Sequence, residues 1–146
     1  MVKNVREIID HLVQKPKTLF FIDSLGALIT AFCLYAVSRS FHEYFGVPKT
    51  MFTYLSAIAA SLCIYSTTCS FLLNYNWTPF IKVISIANLL YCVMTLWLVI
   101  LYYPTITIIG TTYFLVEITI ICGLVYIELN VMTIIKKNSL ENNPND

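Results

Sequence analysis

Four long apolar runs divide the chain, at residues 18–38, 50–73, 80–103 and 108–131. Each is close to the ~20 residues that a helix needs to cross roughly 30 Å of hydrocarbon, so the pattern predicts four transmembrane helices. The alternating segments of about ten residues that would build a membrane β-barrel are missing. Ahead of the runs, residues 1–17 carry Val2, Val5, Ile8, Ile9, Leu12 and Val13 at i, i+3, i+4 spacing, with Lys3, Arg6, Glu7 and Asp10 on the other side. That is the pattern of an amphipathic helix lying in the headgroup plane, and Pro16 supplies an elbow before the first span.

The breaks between runs are also readable. Gly46 followed by Pro48 stops the first helix, Thr78 before Pro79 looks like an N-cap with proline at the first helical position, and Pro104 leaves only a short turn between the last two spans. The tail from Lys136, ending SLENNPND, is polar and expected to be disordered. The expected fold is all-α: an up-down antiparallel bundle of four transmembrane helices over residues 18–135, preceded by the short interfacial helix.

Composition strengthens this picture. Of 146 residues, 58 % are hydrophobic and 12 % charged, with a mean hydropathy of +0.76, which places most of the chain in lipid. The first run is too long for a signal-peptide core and no A-x-A-like site follows it, so it is expected to remain as a span. A net charge of +1 with scattered lysines argues against a nucleic-acid partner. Lys3, Arg6, Lys15, Lys17, Lys82, Lys136 and Lys137 fall on one side of the predicted topology, and Arg39 and Lys49 on the other. By the positive-inside rule both termini face the cytoplasm, in the inner (plasma) membrane.

The costly residues narrow the candidates further. Glu117 sits in the middle of the fourth run, where a carboxyl group costs several kcal/mol unless protonated or paired. Glu128 follows eleven residues later, within about 20° of the same helix face. Small and weakly polar residues recur in the other spans: Asp23, Gly26, Thr30 and Cys33; Ser56, Ala59, Ala60, Cys63, Thr67 and Ser70; Ser85, Asn88, Cys92 and Thr95. Such residues let helices pack closely in lipid. By depth, Asp23, Lys82 and Glu128 form a possible triad near the cytoplasmic boundary, either a salt-bridge cluster fixing helix register or a binding site, with snorkelling of Lys82 to water as the third reading. Asn88 and Glu117 lie deeper. Glu117 bonded to Asn88, or to the Tyr91 or Tyr113 hydroxyl, would be structural glue; an ionisable Glu117 facing water would be a proton or cation site. At the opposite mouth Arg39, His42, Glu43 and Tyr44 form a polar cluster.

Familiar chemistry is excluded by residue type. His11 and His42, the two histidines, both lie outside the spans, so axial ligation of a membrane haem is not available. The five cysteines, Cys33, Cys63, Cys69, Cys92 and Cys122, lie within the runs and make no C-x-x-C pair. No G-x-S-x-G, H-E-x-x-H or phosphate loop occurs, and no metal or cofactor is expected. Asn76-Trp77-Thr78 spells a glycosylation triplet, which Pro79 and the cytoplasmic side disarm.

The segment FFIDSLGALITAF in the first span, IANLLYC in the third and the mid-span glutamate of the fourth resemble small uncharacterised bacterial four-helix membrane proteins. That resemblance covers most of the chain and implies the fold but no activity. Small multidrug exporters share the helix count and one membrane glutamate, but theirs lies in the first helix, whereas Glu117 is in the last. Three functions follow in order: a non-enzymatic accessory or structural membrane subunit, self-associated or bound to a larger membrane partner; a small proton- or ion-coupled transporter using Glu117 with Asn88, and with Glu128 as a further candidate; and an enzyme acting on lipid or quinone through the cytoplasmic acids.

Overall fold

A computed structural model describes residues 2–74 and 76–142; the side chains of residues 2–4, 41–43, 140 and 142 lie outside the description. All regular elements in it are helical. They are α1 (Val2–Gln14), α2 (Pro16–Ala36), a π-helical segment (Val37–Phe41), α3 (His42–Phe45), α4 (Lys49–Leu72), α5 (Trp77–Leu101) and α6 (Ile108–Asn142). Four helices, beginning at Pro16, Lys49, Trp77 and Ile108, are long and apolar enough to cross a membrane. Their outward faces are apolar: Phe32 is 71 % exposed, Phe71 74 % and Ile120 67 %. A surface of this kind marks a face that meets a membrane or another protein.

Helix boundaries follow from local chemistry. Pro16 occupies the first turn of α2, where its missing N–H costs nothing. Gly46 ends α3 at φ +70°, and a Cβ there would lie 1.9 Å from the Thr105 carbonyl oxygen. Only glycine fits both the conformation and the gap. The start of α5 differs from expectation: the helix begins at Trp77, Asn76 takes the N-cap place at φ 56°, and no side chain caps the end. Thr78 is therefore inside the first turn. Proline 79 is still tolerated there because first-turn N–H groups have no partner within the helix.

The tail requires a correction. Disorder is expected over residues 136–146, yet α6 runs on to Asn142, with Lys137 and Glu141 3.8 Å apart as an i, i+4 pair; residues 143–146 lie outside the described residues. No glycine or proline interrupts Val131–Asn142, and Ile134 and Ile135 pack against α1 and its neighbours, so nothing stops the helix where the lipid-compatible run stops.

Side chains gather into two apolar clusters. Ile9, Leu12, Leu19, Phe20, Ile81, Ile84 and Val131 form one, at the end where α1 meets α6. Leu34, Phe45, Phe52, Leu55, Val99 and Phe114 form the other, where α3 meets α6. Extensive contact joins α2 to α4 and α5 to α6, while α2 and α6 touch slightly. In each span the buried positions repeat every three or four residues in heptad fashion: Phe52, Leu55, Ala59, Ser66 and Cys69 in α4, and Ile81, Ile84, Asn88, Tyr91, Thr95 and Val99 in α5.

Candidate functional site

Between the two apolar clusters lies a layer of polar side chains, and all four spans contribute to it. Helix α2 brings Asp23, α4 brings Ser66, α5 brings Ser85 and Asn88, and α6 brings Glu128. Every one of them is buried, Glu128 completely. Asn88 is central: its Nδ2 donates to Asp23 Oδ1 at 2.8 Å and to Glu128 Oε1 at 3.4 Å. The Ser85 hydroxyl donates to Glu128 Oε2 at 2.8 Å, and the Ser66 hydroxyl donates to Asp23 Oδ2. The two carboxyl groups are also within hydrogen-bonding reach of each other. Such a bond needs a proton, because two carboxylates offer acceptors only.

The second acid site is separate. Tyr91 donates its hydroxyl to Glu117 Oε1 at 2.7 Å, while Glu117 Oε2 is buried with no hydrogen-bond partner among the described residues. Glu117 itself is 7 % exposed. Around it stand Tyr91 and Cys92 of α5 and Tyr113 of α6, and Tyr113 sets its ring edge-on to Phe45 at 5.6 Å. A buried polar atom left without a partner costs about 1–3 kcal/mol, more where it carries charge.

Two expected groupings are corrected. Lys82 does not complete a triad with Asp23 and Glu128; it is exposed, one residue beyond buried Ile81, and the ion pair among the described residues is Lys137–Glu141. The face of α5 that meets the acids carries Ser85 and Asn88, and Lys82 points away from it. Nor does Asn88 bond Glu117. Eleven residues separate Glu117 from Glu128, about 16 Å of helix, and Asn88 is held at the Glu128 level. The longer Tyr91 side chain reaches Glu117 instead. At the opposite mouth Arg39 is exposed, and the side chains of His42 and Glu43 lie outside the described residues.

Ser66 was not anticipated. A ladder through Ser56, Ala59, Cys63, Thr67 and Ser70 passes one residue beside it, whereas the heptad Phe52, Ala59, Ser66 contains it.

A cavity of about 60 Å³ lies between the two acid sites and is bounded by all four spans. Asp23 and Asn88 line it on one side and Tyr91 on the other, with Gly26, Ala59 and Ile120 among its apolar walls. Such a volume has room for about four waters at roughly 15 Å³ each. Among the described residues no three His, Cys, Asp or Glu side chains gather as metal ligands.

No known family, curated protein or solved structure matches the chain. The likeness to small bacterial four-helix membrane proteins therefore rests on the segments that suggested it.

Proposed function

We propose that this chain is a non-enzymatic integral membrane protein of the inner membrane, an accessory or structural subunit whose buried polar layer holds an up-down four-helix bundle together. In this reading both termini are cytoplasmic and α1 lies in the headgroup plane. The supporting observation is that each span gives at least one side chain to a single hydrogen-bonded network. In lipid, such bonds hold helices together where the hydrophobic effect between them is absent. A larger membrane protein or a second copy of the chain is the partner of choice, since large apolar side chains cover the outward faces.

One observation favours a second reading, a small proton- or ion-coupled transporter: the unpartnered Glu117 Oε2. A buried carboxyl oxygen without a protein partner is a place where a proton or a water can bind, and an ionisable group inside a span is by default a functional candidate. A single experiment separates the two. Decay of a pH gradient is measured in liposomes holding the wild-type protein, Glu117→Gln, or no protein. The subunit reading expects all three to decay alike; faster decay in the wild type alone overturns it and establishes the transporter.

A further inference from the structure

We infer that the cavity joins the two acid sites into one proton relay, with the Glu128, Asn88 and Asp23 layer at one end and Tyr91 with Glu117 at the other. The inference rests on the second reading, that Glu117 takes up a proton, and adds the route by which the proton arrives.

Geometry supplies each connection. Tyr91 belongs to both parts: its hydroxyl donates to Glu117 Oε1 at 2.7 Å, and the residue lines the cavity. Asp23 and Asn88 line the same cavity from the other acid site. The polar part of the cavity wall is small, supplied by Asp23, Thr30, Asn88 and Tyr91, and the rest is apolar; the relay assigns its water to these groups, since a buried water requires polar partners. Beyond these sites, along the helices, lie the two apolar clusters.

Proton bookkeeping closes. A protonated Asp23 gives its proton to a cavity water, that water passes one to the Tyr91 oxygen, and Tyr91 hands its own hydroxyl proton to Glu117 Oε1. Asp23 ends as a carboxylate and Glu117 as an acid; the phenol and the water are unchanged. The titratable groups facing Glu117 are Tyr91, Cys92 and Tyr113, and the one facing Asp23 is Glu128. No cation forms an ion pair with these acids among the described residues, so a moving proton meets no fixed positive charge there.

Infrared spectroscopy of the full-length protein in phosphatidylcholine vesicles tests this, at a pD low enough to protonate the three acids. Glu117→Gln and Asp23→Asn assign the carboxylic C=O bands, and each band's deuteration is timed after a switch from H2O to D2O. Tyr91→Phe keeps the ring and removes the hydroxyl; it is expected to slow deuteration of Glu117 at least tenfold and leave the Asp23 band unchanged. Ala59→Leu, which fills part of the cavity and keeps every hydrogen-bonding group, is expected to do the same. An unchanged Glu117 rate in either variant, equal slowing of both bands, or a Glu117→Gln spectrum that loses no carboxylic band overturns the relay. Failure of the transporter reading is distinct: liposome flux equal to Glu117→Gln, with Tyr91-dependent exchange intact.

Discussion

Asn88 does more than any other residue to hold the polar layer together, because its amide nitrogen carries two hydrogens and bonds an acid from each of two helices. Asn88→Leu keeps volume and removes both bonds. At roughly 0.6–1.7 kcal/mol for an interhelical hydrogen bond in a membrane protein, the expected loss is about 1–3 kcal/mol. Reversible unfolding in mixed micelles with increasing SDS measures it. Thr68→Val is the control, since the exposed Thr68 hydroxyl bonds only its own helix at Ile64, and it is expected to change stability by less than about 0.5 kcal/mol. Equal losses in the two would remove Asn88 from its place. At this scale the sequence named Asp23, Asn88, Glu117 and Glu128 correctly as buried, since an acid or amide inside an apolar run has to face inward. Their pairing was not legible. It depends on the relative heights of α2, α5 and α6, and single-helix spacing carries no information about heights on a neighbouring helix.

Helix ends were legible where glycine or proline marks them, and the clasp between α3 and α6 shows what lies beyond that signal. Gly46 predicts a stop, but its contact with Thr105 spans 59 residues and appears only in three dimensions. Beside it, Thr107 donates to the Tyr44 carbonyl at 2.6 Å, accepts from the Gly110 N–H at 3.2 Å, and so starts α6 while fastening it to α3. A Cβ at position 46 would meet backbone at 1.9 Å and sit at positive φ, whereas one at Gly123 would meet nothing within 4 Å. Gly46→Ala is therefore expected to cost at least about 2 kcal/mol, from backbone strain and displacement of the 102–107 turn. Gly123→Ala should be neutral or stabilise by a few tenths of a kcal/mol, up to roughly 1. Thermal unfolding in detergent compares the pair; a Gly46→Ala protein as stable as Gly123→Ala would mean that the clasp contributes nothing. The heptad spacing of buried residues was present in the sequence too. In α4 it is masked, because alanine and serine occur on every face there and nothing in residue type sets Ser66 apart from Thr67.

On the scale of the whole molecule, the four spans divide into α2 with α4 and α5 with α6, each pair joined along its length. Between pairs the apolar clusters supply contact, but in lipid, apolar packing alone discriminates weakly between one helix partner and another. The polar layer supplies the discrimination. Asp23 and Ser66 come from one pair, Ser85, Asn88 and Glu128 from the other, and the Asn88 to Asp23 bond crosses the seam. Two halves made separately, residues 1–74 and 75–146, should each insert and then find one another, since each keeps its own helix pair and an intact half of the network. Co-expressed with a tag on one half, they are expected to purify together at equal stoichiometry. Asn88→Leu in the second half, which removes the bond across the seam and the longer 3.4 Å bond to Glu128 inside the pair, should reduce recovery of the first half about tenfold, the ratio that corresponds to roughly 1.4 kcal/mol, whereas Ser85→Ala, which breaks only a bond inside the pair, should leave recovery unchanged. Undiminished recovery would show that apolar packing holds the seam by itself and that the buried acids serve another purpose than assembly, which is the condition under which their proton chemistry becomes the main business of the fold.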